Sequence, residues 1–374
     1  MKLTNRNYRN KRLVFYTKNM KLNSKIIKIK AQIISPIHID NWEVLDRLDY
    51  FCFYSWDEIQ VLDRKWLNFC AEKDLDLFKK IIFSIENWDF KSLENLKQDF
   101  YENYIEDFLE KYEVKEEINI WDQAKNYILQ DWNKNNVWEI KRFSRFWINK
   151  EIFIPWSSLK GIFRTIFLFE ELNKINWFNY KDKARKLENI NKNENFKKEL
   201  FAFLQFEDVK IENQELEIQE ISMIQKPKKF WKSKKWVPQI LETVIAWNFE
   251  IIIKDLKWQI DINNLKKLIE NYSNILVARE EKLFDNTKIS YDFLDILDEK
   301  YNSWIFPIKI WMHKKSGAYK IFWEELLEEV YKKTWKDWLK ESRRLWVWDK
   351  TIYLDENNNP VWWIWLGEIE VLDK

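Results

Sequence analysis

Glycine is almost absent from this chain of 374 residues, which has 3 Gly and 24 Trp. Glycine adopts positive φ at little steric cost, so tight turns depend on it. A chain of this length with the usual glycine usage of about 7% carries roughly 26 glycines. Several tryptophans stand where a turn is expected: before Ser157, after Asn41 and before Trp363. The missing glycines therefore match the excess tryptophans in number and in position.

One explanation is a genetic code in which UGA specifies glycine, with the present sequence obtained by reading UGA as tryptophan. The many Lys, Asn and Ile residues are typical of an AT-rich genome, in which UGA codons are common. The alternative is a protein truly rich in tryptophan, whose indole rings form a stacking surface for bases or sugars. The sequence favours the first explanation, and the codons at these positions decide between the two.

Composition limits the class of protein. The length allows a large core and two domains. The net charge is only +2, so a nucleic-acid site must be a local basic patch. Mean hydropathy is −0.56, and no apolar stretch is long enough for a transmembrane helix or a secretory signal. Cys52 and Cys70 are too few for a disulfide framework, so a cytoplasmic location is expected.

Residues 1–25 form a basic N-terminal tail, which has Lys and Arg side chains but no acidic ones. Such a segment suits contact with RNA phosphates. An equally simple explanation is that translation starts at Met20 and that residues 1–19 are not native.

Strand and helix patterns follow one another without a regular repeat. Apolar residues from Ile27 to Ile33 alternate with polar ones, which is typical of a half-buried strand. Residues 57–139 have apolar positions at steps of three and four, which predicts a helical insert. Further strands are predicted at 141–154, 216–223, 248–254, 305–310 and 361–371, and helices at 157–172, 262–272 and 323–341. The absence of a βαβ rhythm predicts an α+β fold.

The segment 154–165 joins a turn at Pro155 to an amphipathic helix. Its serines can cap the helix, whose first amides have no partner within the helix and point outward. With the helix dipole these amides attract anions, and two basic residues lie off the apolar face. The candidate RNA-binding residues are Ser157, Ser158, Lys160, Gly161 and Arg164. The alternative is a capped surface helix with solvated basic side chains.

A second candidate RNA contact is the segment 311–320, which has three lysines and an aromatic residue. With glycine at position 311 it becomes a mobile loop suited to contact with an RNA backbone. Its candidate residues are Lys314, Lys315, Ser316 and Gly317. The alternative is a solvated surface turn.

Several of these motifs resemble a known family. The segment 155–161, read with glycine at position 156, resembles the signature of the RAMP superfamily of CRISPR proteins. Residues 35–50, with Ser35-Pro36, His38-Ile39 and Leu48-Asp49-Tyr50, are similar to the opening of the fifth Csm subunit family of type III-A CRISPR effector complexes. Shorter matches at 206–208, 237–247 and 360–364 extend the resemblance to roughly residues 26–371. Asp40 departs from the family pattern, and three matches fall on Trp where the family has Gly.

The resemblance implies two ferredoxin-like (RRM-like) RAMP domains, at residues 26–245 and 246–374, with the helical insert of about 57–139 in the first. It also implies a crRNA-binding structural subunit that caps the crRNA 3′ end and takes part in crRNA maturation and antiviral defence. The implied partners are crRNA, the other Csm-complex subunits, including backbone RAMP subunits, and a host nuclease that trims the crRNA. No membrane partner, cofactor, metal or catalytic residue is expected.

His38 is the residue on which an enzymatic alternative depends. A RAMP endoribonuclease that processes precursor crRNA uses a general base, but a lone base is not an active site. The only other histidine is His313, and the two His and two Cys are not spaced as metal ligands. In a turn after a strand, His38 is expected to hydrogen-bond the backbone or RNA. A further alternative is another RAMP subunit, such as a filament backbone protein.

Overall fold

The computed structural model of the chain describes residues 25–53, 55–62, 64–130, 139–146, 150–173, 203–211, 216–225, 234–235, 239–256, 260–284, 305–310 and 351–373. Its strands are β1 (Lys25–Ile33), β2 (Asp40–Leu45), β3 (Tyr50–Phe51), β4 (Glu58–Val61), β5 (Glu116–Ile120), β6 (Ile140–Phe143), β7 (Ile152–Ile154), β8 (Leu204–Phe206), β9 (Val209–Ile211), β10 (Leu216–Gln225), β11 (Lys234–Lys235), β12 (Gln239–Val244), β13 (Asn248–Asp255), β14 (Phe306–Lys309), β15 (Thr351–Leu354) and β16 (Trp363–Asp373). Its helices are α1 (Lys65–Lys73), α2 (Leu75–Glu86), α3 (Phe90–Leu109), α4 (Asp122–Gln130), α5 (Trp156–Asn173) and α6 (Ile262–Phe284). The predicted α+β class is confirmed.

The first sheet is built around β1. This strand pairs antiparallel with β13 on one side and with β16 on the other, and the full order is β14-β16-β1-β13-β8. Ile27 and Ile29 are buried, whereas Lys28 between them pairs with Glu250 at 3.0 Å. One face of the sheet is therefore apolar and packed, and the other carries charged side chains.

Helices α5 and α6 cover the apolar face of this sheet. The ring of Phe163 in α5 lies 5.4 Å from that of Phe206 in β8, and Phe169 of α5 lies 5.5 Å from Tyr272 of α6. Burial of each such ring stabilises the fold by roughly 1.5–3 kcal/mol. The helix predicted at 157–172 is confirmed as α5, and α6 extends well beyond its predicted end at residue 272.

The second sheet has the order β2-β6-β12-β10-β5-β4-β3, with β11 and β15 also paired to β10. Most of its pairs are antiparallel, but β5 runs parallel to β10 and β6 runs parallel to β12. After β1 the chain crosses to this sheet, where Ile37 and Val244 exchange two backbone hydrogen bonds of 3.0 Å. One cluster of buried apolar side chains is continuous under both sheets.

The helical insert predicted at 57–139 contains α1, α2, α3 and α4. The first three helices pack around Trp66, whose ring lies 5.2 Å from Phe51 and 5.1 Å from Phe100. Lys97 of α3 is fully buried and donates to the backbone carbonyl of Arg47 at 3.0 Å, which attaches the bundle to the chain before β3. The range also contains β4 and β5, which the helical pattern did not predict and which join the second sheet.

Strands of the first sheet come from both sides of residue 245. β1 and β8 precede it, and β13, β14 and β16 follow it. The two predicted domains therefore contribute to one sheet, and the division of the chain into domains at residue 245 stays a prediction.

The remaining predicted elements are mostly found where the sequence indicated. The strands at 216–223, 248–254, 305–310 and 361–371 are confirmed as β10, β13, β14 and β16, and 141–154 contains β6 and β7. The helix predicted at 323–341 and residues 1–24 of the basic tail lie outside the described residues. In the part of the chain that the structure describes, no helix is long and apolar enough to cross a membrane.

Candidate nucleic-acid interface

Helix α5 begins directly after β7, at the motif around Pro155. The carbonyl of Pro155 accepts hydrogen bonds from the amides of Ser158 at 2.9 Å and Leu159 at 3.3 Å, which makes Pro155 the N-cap residue. Proline suits a position before the first turn because its missing N–H group is not needed there. Since β7 is itself paired with β9, the start of α5 is held at a defined place.

The polar residues of the motif share one face of α5. This polar face consists of Ser157, Lys160, Gly161 and Arg164, each of which is exposed or half-buried. The residues are three, one and three positions apart, which brings them to the same side of a helix. Ser158 lies beside it and is half-buried. The opposite face is buried in the core and contains Leu159, Ile162, Phe163 and Ile166. The structure thus brings all five candidate residues of this segment together.

The ammonium group of Lys160 lies close to the start of α5. Its Nζ donates to the backbone carbonyl of Leu204 at 3.2 Å and lies 5.6 Å from the ring centroid of Trp156. Partial burial lowers the pKa of Lys160 from its ordinary value of 10.5. Lys160 therefore both attaches α5 to β8 and brings positive charge to the polar face.

Asp208 is part of this site, although the sequence pattern assigned it no role. Its Oδ1 accepts a hydrogen bond from the amide of Trp156 at 2.6 Å. A carboxylate at this end of a helix is favourable because it meets the positive end of the dipole. Asp208 also accepts the hydrogen bond of the first amide of α5. A phosphate bound at the polar face is therefore held by Lys160, Arg164 and the serines. The one sequence signal for Asp208 was the short family-like segment 206–208.

His38 lies in the core and has no exposed surface. Its Nδ1–H donates to the backbone carbonyl of Glu242 at 2.7 Å, and its ring meets Phe143 edge-on at 6.1 Å. Burial lowers the pKa of His38 below its ordinary value of 6.5, so the ring is neutral. Of the two expected hydrogen-bond partners, the backbone or RNA, the structure shows the backbone. The ring has no exposed surface in this structure, whereas a general base needs contact with the reacting group.

Glu242 is the centre of a buried ion cluster that the sequence did not predict. Its carboxylate accepts hydrogen bonds from Arg142 at 3.0 Å, from Arg145 at 3.2 Å and from the amide of Phe143 at 2.7 Å. Glu116 forms ion pairs with both arginines. Burial opposes the charge of Arg145, but the attraction of the two glutamates raises the pKa of its guanidinium group. The cluster joins β5, β6 and β12, at the base of the connection that leads to β7 and α5.

The second candidate contact, with Lys314, Lys315, Ser316 and Gly317, lies outside the described residues, as does His313. Among the residues that are described, no group of three His, Cys, Asp or Glu side chains is arranged to hold a metal ion.

No family model matches the chain. A curated relative from Methanocaldococcus jannaschii, described as "CRISPR system Cms protein Csm5", is 26% identical over 278 residues, which are 70% of this chain and 59% of the relative. The chain therefore spans less than two thirds of that relative's length.

Two solved structures share the fold at 15% identity. One is a chain in the cryo-EM structure of a Csm-crRNA-target RNA ternary complex of a type III-A CRISPR-Cas system, with a TM-score of 0.57 over 91% of this chain and 100% of that chain. The other is the crystal structure of T. onnurineus Csm5, with a TM-score of 0.54 over 90% of this chain and 99% of that chain.

The two sheets and the pair of helices on the first sheet form the fold that this chain shares with both solved structures. The sequence relative and one structural neighbour are described as Csm5, and the other neighbour is a chain of a Csm complex. The chain is thus similar to Csm5 in sequence and in fold.

Proposed function

We propose that this chain is a crRNA-binding structural subunit of a type III-A Csm complex. The observation that carries the proposal is the similarity to Csm5 in sequence over 70% of the chain and in fold over 90%. One matching chain belongs to a complex with crRNA and target RNA. The proposed contact with RNA is the polar face of α5.

Gly161 supports close approach of a ligand to this face. It lies within α5, where glycine costs about 1 kcal/mol relative to alanine. Its φ is not in the left-handed region, and a Cβ atom at this position would meet no atom of the described protein within 4 Å. The fold therefore does not require glycine here, whereas a nucleic-acid backbone in close contact with the helix does.

The chemistry of the polar face favours a grip that is independent of RNA sequence. Lys160 and Arg164 offer charge to phosphates, and the two serine hydroxyls offer hydrogen bonds. Contacts of this kind position a nucleic acid but do not read its bases. That is what a subunit needs when it holds crRNAs with different spacers.

The finer parts of the proposal rest on the same similarity. We propose that the subunit caps the crRNA 3′ end beside backbone RAMP subunits and takes part in crRNA maturation with a host nuclease. Lys314, Lys315, Ser316 and Gly317 are proposed as a second contact, and His38 is proposed as a structural residue.

The proposed ferredoxin-like architecture draws support from the first sheet. Its strand order β16-β1-β13-β8, with α5 between β1 and β8 and α6 between β13 and β16, has the connectivity of a ferredoxin-like unit. A second such unit around the other sheet is part of the proposal.

The test is RNA binding by the full chain, measured by fluorescence anisotropy with a labelled single-stranded crRNA over a series of salt concentrations. The double variant K160A/R164A is expected to weaken binding roughly tenfold or more and to lower the slope of log Kd against log salt by about 1.4–2. Circular dichroism checks that the variant remains folded.

The matched control is K28A/K254A, which removes the same charge from the outer face of the first sheet, where both lysines pair with glutamates. This variant is expected to bind RNA like the parent. An equal loss of RNA affinity in both double variants would show a general effect of charge and reject the α5 site. A parent protein that binds no crRNA, alone or with the other Csm subunits, would reject the function itself.

A further inference from the structure

Left-handed backbone conformations fall on tryptophan unusually often in this protein. Among the described residues, φ is 70° at Trp42, 58° at Trp88 and 72° at Trp362. The other residues with positive φ are Lys150, Ala246 and Asn358. Neither of the described glycines has this conformation. A positive φ is unfavourable for any residue with a Cβ atom, and a bulky side chain makes it a clear outlier.

Trp88 stands at the end of α2, in a position that normally belongs to glycine. The amide of Asp89 donates to the carbonyl of Ser84 at 2.9 Å, and the amide of Trp88 donates to the carbonyl of Ile85 at 3.2 Å. These two bonds define the Schellman motif that ends many helices, whose left-handed residue is usually glycine. The side chain of Trp88 is 72% exposed, so burial does little to offset the strain.

Trp42 stands at a β-bulge. The register between β2 and β6 shifts between Asp40 and Val44, where four residues of β2 stand against two of β6, and glycine is the residue that most readily takes a left-handed conformation at such an irregularity. The amide of Trp42 donates to the Asp40 carboxylate at 2.7 Å, which holds the turn in place. Its side chain is 91% exposed.

Trp362 differs from the other two because its side chain is buried. Its amide donates to the carbonyl of Pro36 at 2.9 Å, and its carbonyl accepts from the amide of Ile310 at 2.8 Å, so its conformation is held from both sides. Its indole N–H nevertheless has no hydrogen-bond partner among the described residues. A buried polar group without a partner is costly, so the indole is less well accommodated than a fully bonded one, and it is the left-handed backbone that favours glycine here.

Trp66 shows what a required tryptophan looks like in the same protein. It lies within α1 with its φ outside the left-handed region, and its side chain is fully buried between Phe51 and Phe100. Its indole N–H donates to the carbonyl of Leu48 at 3.0 Å. The backbone, the packing and the polar atom all suit tryptophan there.

We propose that positions 42, 88 and 362 are glycine in the natural protein, encoded by UGA codons that the present sequence reads as tryptophan, and that Trp66 is a true tryptophan. The assignment rests on backbone conformation, packing and hydrogen bonding, and it is independent of the proposed RNA binding.

The test is peptide mass spectrometry of the protein isolated from its source organism, together with the codons of its gene. Trypsin produces the peptides 31–47, 81–91 and 66–73, which contain position 42, 88 or 66 as their only tryptophan. We expect the masses of the first two to correspond to glycine with UGA codons, and that of the third to tryptophan with a UGG codon. Tryptophan in either of the first two would overturn the proposal, and glycine in the third would overturn the assignment of Trp66.

A second measurement tests the conformational basis in the tryptophan-containing protein. At positions 42 and 88 the glycine variant is expected to have a higher Tm than the alanine variant, because alanine retains the Cβ atom. Trp156 is the control, since it lies within α5 and its φ is not left-handed; there the alanine variant should be the more stable. If the glycine and alanine variants had the same order of Tm at positions 42, 88 and 156, the left-handed conformation at positions 42 and 88 would be contradicted.

Discussion

The ring of His38 donates a 2.7 Å hydrogen bond to the backbone carbonyl of Glu242, and the carboxylate of the same glutamate is held by Arg142 and Arg145. His38 follows β1 of the first sheet, and Glu242 lies in β12 of the second. The bond therefore joins the two sheets where the chain crosses between them. The pair is part of the fold, which is why a histidine in a family-like motif is enclosed rather than exposed to a ligand.

Acid should destabilise the protein through His38. Burial lowers its pKa in the folded state below 6.5, so below about pH 6.5 the unfolded chain takes up a proton that the folded protein does not. The stability contributed by the neutral ring is complete above the unfolded pKa and is lost as the pH falls towards the lower folded pKa. Urea unfolding at several pH values should show this loss, and H38N, whose amide can still donate to Glu242, should show a smaller one. If the free energy of unfolding depended equally on pH in the parent and in H38N, His38 would not be the source of the acid sensitivity.

Removal of the Glu242 carboxylate should be strongly destabilising. The substitution E242A leaves Arg142 and Arg145 in a buried environment, with Glu116 as their remaining acidic partner among the described residues. Breaking a buried ion pair in this way costs about 3–5 kcal/mol of the free energy of unfolding. Chemical denaturation measures the loss. The control is E368Q, which breaks the exposed pair with Lys30 and should leave the denaturation midpoint unchanged. A small effect of E242A would mean that the cluster is not structural.

The substitution G161A should have opposite effects on stability and on RNA binding. Alanine in α5 is expected to raise the free energy of unfolding by up to about 1 kcal/mol, since its Cβ atom meets nothing in the described part of the protein. RNA affinity is expected to fall roughly threefold to tenfold, because the same Cβ atom stands where the nucleic acid approaches. Thermal unfolding and anisotropy provide the two measurements. A gain in stability with unchanged affinity would show that RNA does not approach this part of the helix.

Asp208 should support α5 while weakening its attraction for RNA. The substitution D208A removes the acceptor for the amide of Trp156 and should cost about 1 kcal/mol of stability. D208N keeps an oxygen acceptor but not the negative charge, so it should be nearly as stable as the parent and bind RNA more tightly at low salt. Weaker RNA binding by D208N would contradict a polar face that contacts phosphates.

Local patterns in the sequence predicted the elements that surround the candidate site. The step of three and four residues from Leu159 to Ile166 predicted α5 with its polar and apolar faces, and the alternation from Ile27 to Ile33 predicted β1. β4 and β5 were missed because they are short strands within a long helical pattern. Asp208 and Glu242 were named only as parts of short family-like segments, because their roles depend on partners far away in sequence.

The sequence by itself determined the α+β class, the positions of the longer strands β1, β10, β13 and β16 and of helices α5 and α6, the polar face of α5 and the shortage of glycine. These features depend on neighbours within a few residues, so local spacing reveals them. Only the tertiary structure decided that β1 pairs with β13 and β16, that His38 is enclosed beside Glu242, and that Asp208 occupies the first amide of α5. It also decided which tryptophans stand in left-handed positions. Burial, pairing and backbone strain arise from contacts between residues distant in the chain, which local spacing does not encode.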